Sequence, residues 1–366
     1  MDRNACFFSL LRAGLWGTEP DEALFREKNV DWDGIINLAI SQTVPGIVFD
    51  GVEKLPEELR PPRACFMKWF ALVVKIEQAN ERLNHVLAEI GRKYGENDIR
   101  FILLKGQGCA SMYLRPEHRQ CGDLDLYTGR KDFERANELM DRLGTRPDSE
   151  TDKHIGYTYK EVEIEIHRYA ACFSSPLLNR KLQRFAGQWL DAPGCVFNVN
   201  GVGVKLPDPG FNAIYLLLHA LLHFIQEGIG LRQVCDWVRL LSVYSKEIDR
   251  SRLIREIKIL KLEQAFHAFG YIAVSCLGLP ACCLPLPVDD ESGKSLLSDI
   301  LKGGNFGRGH GKNEKRPGTR WGGKLYSFLY ICNRCRMMSR FHPSEARWYP
   351  YFRVKNLYYR ILPEKA

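Results

Sequence analysis

The chain has 366 residues and a formal net charge of +8, with 45% hydrophobic and 26% charged residues. That is ordinary globular material for about two or three domains, which excludes a disordered chain and a coiled coil. The longest apolar run, 211–225, is interrupted by Asn212, His219 and His223. It falls short of the roughly 18 apolar residues of a membrane span, so none is expected.

Residues 1–95 read as helical. The opening Phe7-Phe8-Ser9-Leu10-Leu11 ends at Arg12, too short for a secretory leader. From 64 to 92, apolar residues recur at a helical period through Phe66, Phe70, Val73, Ile76, Leu83, Val86, Leu87 and Ile90. The texture changes near Asn97. Ile99–Leu104 reads as a short buried strand ending at Lys105-Gly106, with a small-residue helix over 109–113. A second strand covers Asp123–Tyr127. An amphipathic helix covers Lys131–Leu143 and stops at Gly144. The alternating runs 155–160 and 162–169 form a hairpin. A linker with a small hairpin (191–209) leads to a helical tail that opens at 212–227. The division is therefore 1–95 (helical), 96–207 (mixed α/β) and 208–366 (helical). The expected fold class is α+β, a small mixed sheet flanked by helical segments at both ends.

On the 123–127 strand, Asp123 and Asp125 share one face, while Leu124 and Leu126 face inward. On the last alternating run Glu163, Glu165 and His167 share a face, so either glutamate can complete an acidic group. Two ionised carboxylates about 4 Å apart repel by roughly 4 kcal/mol at an effective dielectric of about 20. Such a group needs a cation. Oxygen ligands without thiolates favour Mg²⁺ or Mn²⁺, as in phosphoryl and nucleotidyl transfer. Lys105-Gly106-Gln107-Gly108, between strand and helix, is placed to meet an anion; Lys105 and Arg119 supply positive charge to a triphosphate.

Four other features carry less chemistry. His219 and His223 lie on one helix face and read as a polar stripe lining a cleft; Ala220 after the first His excludes a metalloprotease motif. Arg232 and Asp236, also four apart, read as an exposed helical ion pair. The glycine-rich basic stretch 303–323 reads as a solvated loop, with nucleic-acid contact as the alternative. Twelve scattered cysteines, with one Cys332-Asn333-Arg334-Cys335 pair, read as reduced thiols in the cytosol.

The glycine turn, Asp-x-Asp strand and later acidic strand, in this order, resemble the nucleotidyltransferase superfamily of the DNA polymerase beta type. The run Leu104-Lys105-Gly106 through Tyr113, Arg119, Gly122–Leu126, Glu165-Ile166-His167, His219, His223 and Gly230–Trp237 is similar to a bacterial group of uncharacterised nucleotidyltransferase-like proteins. The likeness covers roughly residues 65–245. It implies that Asp123, Asp125 and Glu165 hold Mg²⁺ (or Mn²⁺), with Glu165 as third ligand or general base. Lys105, Gly106, Gln107, Arg119, His167 and Arg232 would line a nucleoside triphosphate site, ATP foremost. Two departures stand out: Gln107 replaces the usual Ser after Gly106, and Arg168 replaces the Trp after the His. The resulting expectation is a cytoplasmic, Mg²⁺-dependent nucleotidyltransferase acting on an unknown acceptor. A catalytically inactive nucleotide-binding protein of the same fold and a nucleic-acid-interaction module are the alternatives.

Overall fold

The computed structural model describes residues 2–351 apart from 27–29, 191, 193, 306–328, 330, 331 and 334. Most of the basic stretch 303–323 lies outside the described residues.

Four helices open the chain: α1 (Arg3–Trp16), α2 (Trp32–Ser41), α3 (Pro45–Glu53) and the long α4 (Arg63–Glu96). The central part follows as β1 (Ile102–Leu103), α5 (Gln107–Ala110), β2 (Asp123–Tyr127), α6 (Gly129–Arg142), β3 (Pro147–Glu150), β4 (His154–Tyr159) and β5 (Val162–His167). Then come α7 (Pro176–Leu190), a β6 (Val196–Val199) and β7 (Val202–Lys205) hairpin, and α8 (Pro209–Gln226), α9 (Leu231–Val243), α10 (Arg250–Ile259), α11 (Glu263–Tyr271) and α12 (Asp290–Gly303). The architecture is mixed α+β with helical segments at both ends. No described helix is long and apolar enough to cross a membrane.

The main sheet has the order β1-β2-β5-β4-β3. β2 and β5 run parallel, and the other neighbouring pairs are antiparallel. A parallel pair needs a long crossover; here α6, β3 and β4 supply it. The expected β4–β5 hairpin and the β6–β7 hairpin are both present. The first strand is shorter than the apolar run Ile99–Leu104 suggested, because only Ile102 and Leu103 pair with β2. The small helix is a single turn, Gln107–Ala110, rather than 109–113.

Two apolar clusters form the interior. One joins α1–α3 and the first half of α4 (Trp69, Val73) to α8, α9 and α11 through residues such as Phe7, Phe211, Trp237 and Phe269. The other packs Leu124, Leu126, Ile164 and Ile166 against Leu87, Ile90 and Tyr94 of α4 and Phe133 and Met140 of α6. α4 thus contributes its N-terminal half to one cluster and its C-terminal half to the other. Full burial of one such large side chain contributes about 1.5–3 kcal/mol. Because side chains alternate along a strand, seating these apolar residues on α4 and α6 turns Asp123, Asp125, Glu165 and His167 to the opposite face, toward α8 and α9.

Candidate active site

The parallel register pairs Asp123 with Glu163, Asp125 with Glu165 and Tyr127 with His167. Cross-strand partners on one face have Cβ atoms only about 4.5–5.5 Å apart, so the register itself gathers the acids. Ligand oxygens of Asp123, Asp125 and Glu165 all lie within 4.8 Å of one another. Glu163, which shares their face in sequence, is exposed at the outer end and stands outside this group.

Lys105 follows β1, which is hydrogen-bonded to β2. Its Nζ is 2.9 Å from Asp125 Oδ2 and 3.6 Å from Asp123 Oδ2. On the other side of the cluster His167 Nε2 is 2.9 Å from Asp125 Oδ1 and 3.1 Å from Glu165 Oε2. Asp125 is buried between these two partners, its side chain only 1% exposed, whereas Asp123 and Glu165 are each 30% exposed.

The charges tune one another. Burial works against the Lys105 ammonium, but Asp123 and Asp125 hold it protonated well above the usual lysine range. Burial alone would raise Asp125; the charge of Lys105 and the hydrogen bond of His167 bring it below its usual value. Glu165 follows the same pattern: burial opposes its ionisation, yet the hydrogen bond and charge of His167 lower it to about 2.

Gly106 makes the bend between Lys105 and α5. Its φ of 65° lies in the left-handed region, and a Cβ there would sit 3.2 Å from Asp123 O and from Cys121 Sγ. Only glycine brings this turn so close to β2 without strain.

Facing the acids, α8 contributes Leu216 and His219, and α9 contributes Arg232, Gln233 and Asp236. Together with Lys105, Gly106, Arg119, Cys121 and Asp123 they line one cleft. His219 is therefore at the cleft, as expected for a polar stripe. Burial and the nearby Lys105 charge push its pKa well below the usual value, so it is a neutral imidazole. His223, one turn on, packs against it with ring centroids 4.3 Å apart and the ring planes tilted by 49°.

Three predicted residues have partners that the sequence did not show. Arg119 lines the cleft but is not a free cation. Its Nε and Nη2 donate to the two carboxylate oxygens of Asp236 at 2.7 and 2.6 Å, and Tyr113 Oη donates to the same carboxylate. Arg232 does not pair with Asp236, which Arg119 occupies; its Nη1 donates to Gln120 O at 2.7 Å, and its Nε is buried without a partner. Gln107 points away from the cleft. Its Nε2 donates to Asn80 O and Asn84 Oδ1 on α4, and the residue is buried.

Two further residues border the acids without having been singled out in sequence. His154 Nδ1 is 3.4 Å from Glu165 Oε2. Lys153 is close enough to feel the charges of Lys105, Asp125 and Glu165, and burial lowers its pKa. The only sequence signal for His154 was its place opposite His167 in the hairpin register.

The donor chemistry fits a hard divalent cation. Three carboxylates gather here, and Lys105 is in direct contact with two of them. Asp125 Oδ2, sealed from water, makes no aligned hydrogen bond and has only the ion pair with Lys105. A divalent ion held by Asp123, Asp125 and Glu165 would balance that excess negative charge.

Comparison with known proteins adds the following. None of the curated proteins compared matches the chain. Among solved structures, the chain is similar to the crystal structure of an antigenic nucleotidyltransferase-like protein from Paracoccidioides brasiliensis. The identity is 14% and the TM-score 0.33, covering 49% of this chain and 92% of that one. A family model described as uncharacterised nucleotidyltransferase matches residues 28–278, more than half of the chain and all of the cleft just described. The chain therefore belongs to this uncharacterised nucleotidyltransferase family.

Proposed function

We propose that the protein moves a nucleoside monophosphate from a nucleoside triphosphate, ATP foremost, to the nucleophilic oxygen of an acceptor. The new bond joins that oxygen to the α-phosphorus. The bond that breaks releases pyrophosphate. One observation carries the reading: Asp123, Asp125 and Glu165 meet on adjacent parallel strands, beside Lys105 and the Gly106 bend, at the mouth of a cleft.

Asp123, Asp125 and Glu165 are the residues that would hold Mg²⁺ (or Mn²⁺). Such an ion supplies positive charge to the phosphate oxygens as negative charge develops on them. Glu165 suits the ligand role better than the general-base role. With a pKa of about 2 it is ionised throughout the physiological range and takes up protons poorly. Lys105, which pairs with Asp125 and Asp123, would supply positive charge to the triphosphate at the same edge of the cleft. Gly106 lets the backbone approach the phosphates. Arg119, neutralised by Asp236, fixes the Gln120–Cys121 edge of the cleft rather than binding phosphate. Arg232, with an unpartnered Nε at the cleft wall, is the better candidate for a phosphate oxygen. Gln107 does not count against catalysis, because its side chain serves α4. No two of the twelve cysteines are joined in a disulfide, which suits a reaction in the reducing cytosol.

The test is pyrophosphate release from each nucleoside triphosphate with Mg²⁺ and a panel of hydroxyl acceptors, comparing wild type with Glu165→Gln. The variant should lose turnover by two orders of magnitude or more while keeping most of its triphosphate affinity. Unchanged turnover in the variant would overturn the assignment.

A further inference from the structure

Next to the three-carboxylate group lies a second set of ligands with different chemistry. The antiparallel register of β4 and β5 sets His154 opposite His167 and Gly156 opposite Glu165. His154, Glu165 and His167 therefore project from one face. His154 Nδ1 is 3.4 Å and His167 Nε2 is 3.1 Å from the same oxygen, Glu165 Oε2. The three ligand atoms all lie within 4.8 Å of one another. With bonds of about 2.0–2.2 Å, a tetrahedral ion holds its ligand atoms about 3.3–3.6 Å apart. The two measured gaps are close to that spacing.

Hydrogen bonding leaves the set unsatisfied. His154 Nδ1 is sealed from water and has no hydrogen-bond partner, although Glu165 Oε2 is its neighbour. His167 is fully buried. Its single Nε2 position faces two carboxylate oxygens, on Asp125 and Glu165, and one N–H cannot point well at both. Its Nδ1 is buried without a partner as well. Buried polar atoms are paired in the great majority of cases, so an unpaired ring nitrogen on each of these two histidines, that of His154 beside Glu165 Oε2, calls for an explanation.

We propose that His154, Glu165 and His167 bind a first-row transition-metal ion of the Zn²⁺ class, in a site that adjoins the oxygen-only group and shares Glu165 with it. Two imidazoles and one carboxylate are the ligand set such ions select, and Mg²⁺ prefers oxygen alone. The second oxygen of the Glu165 carboxylate leaves it able to serve both sites. The proposal goes beyond nucleotidyl transfer, since it concerns metal binding and not turnover.

Co²⁺ is the probe, titrated into full-length protein stripped by a chelator, with Mg²⁺ in excess to fill the oxygen-only site. One Co²⁺ per chain should bind and develop the intense visible absorption of a four-coordinate, imidazole-ligated ion. His154→Ala should weaken binding by at least about tenfold, the lower end of what even an outer-shell change costs. Asp123→Asn should bind Co²⁺ as wild type does. Should His154→Ala fail to fold by circular dichroism, His154→Gln keeps the side-chain volume and makes the same test. Absence of Co²⁺ binding, displacement of Co²⁺ by Mg²⁺, or wild-type affinity in the folded His154 variant would each overturn the site. Pyrophosphate release is read separately. Its absence alongside intact Co²⁺ binding counts against the transferase reading alone, and the converse counts against this site alone.

Discussion

One ammonium group, Lys105 Nζ, bridges Asp125 at 2.9 Å and Asp123 at 3.6 Å. A monovalent cation thus stands where these carboxylates would meet a divalent one. Lys105→Met keeps the aliphatic stem and removes the charge. In this variant Mn²⁺ affinity without nucleotide should rise, because the competitor is gone. Triphosphate affinity should fall by about tenfold or more, the loss of one charged hydrogen bond. Isothermal titration with Mn²⁺ and with a non-hydrolysable triphosphate reads both. Unchanged Mn²⁺ affinity would show that lysine and metal do not compete.

The two aspartates should separate in stability although the proposed reaction needs both. Asp125 is sealed between Lys105 and His167. Asp125→Asn leaves a buried lysine poorly compensated, at a cost of about 3 kcal/mol. Asp123 is partly in water, so Asp123→Asn should cost less than about 1 kcal/mol. Urea unfolding beside pyrophosphate release checks this. Equal stability losses would contradict the difference in burial.

Gln107→Ser restores the residue usual in related turns, yet it should be harmful. It removes the donor to Asn80 O and Asn84 Oδ1 and leaves a gap against α4. A loss of about 1–3 kcal/mol follows from the unpaired buried acceptor. Triphosphate affinity should not change, since the side chain does not reach the cleft. A variant of native stability and altered affinity would place Gln107 back at the phosphates.

His118 ties α3 to α4 far from the acids, with Nδ1 2.6 Å from Asp50 and Nε2 2.9 Å from Glu77. Burial would lower its pKa, but the Asp50 hydrogen bond and charge, with Glu77, raise it above the ordinary 6.5. A raised basic group stabilises the fold fully below its unfolded value and loses that effect as pH rises through its folded value. The thermal midpoint should therefore decline as pH increases above about 6.5, and His118→Gln should remove that part of the decline. Burial raises the pKa of its partner Asp50 as well. A wild-type midpoint that is flat or rising across this range, relative to the variant, would contradict the sign.

Much of the acid face was legible because strand alternation leaves little choice. Asp123–Tyr127 and Val162–His167 each carry apolar residues at every second position, and burying those fixes where the carboxylates point. That period could not separate Glu163 from Glu165, and the register sets each of them opposite an aspartate; the ligand atoms do separate them, since Glu165 comes within 4.8 Å of Asp123 and Asp125 while Glu163 is exposed. β3 was missed because Pro147–Glu150 is exposed throughout and carries no apolar alternation. Arg119 was read as a free cation because nothing local marks its partner Asp236, which is 117 positions away. Lys105 was read toward phosphate because a sequence shows which residue follows a strand, not which carboxylate its side chain meets.

The parallel pairing of β2 with β5 also sets how the protein can fail. A shift of one residue in either strand would turn leucines and isoleucines toward the cleft and press aspartate or glutamate into the apolar interior. No half-aligned intermediate is tolerable. The acid face and folding are thus tied to one all-or-none alignment, and drift in this sheet would be lethal to the chain before it could merely weaken the proposed chemistry.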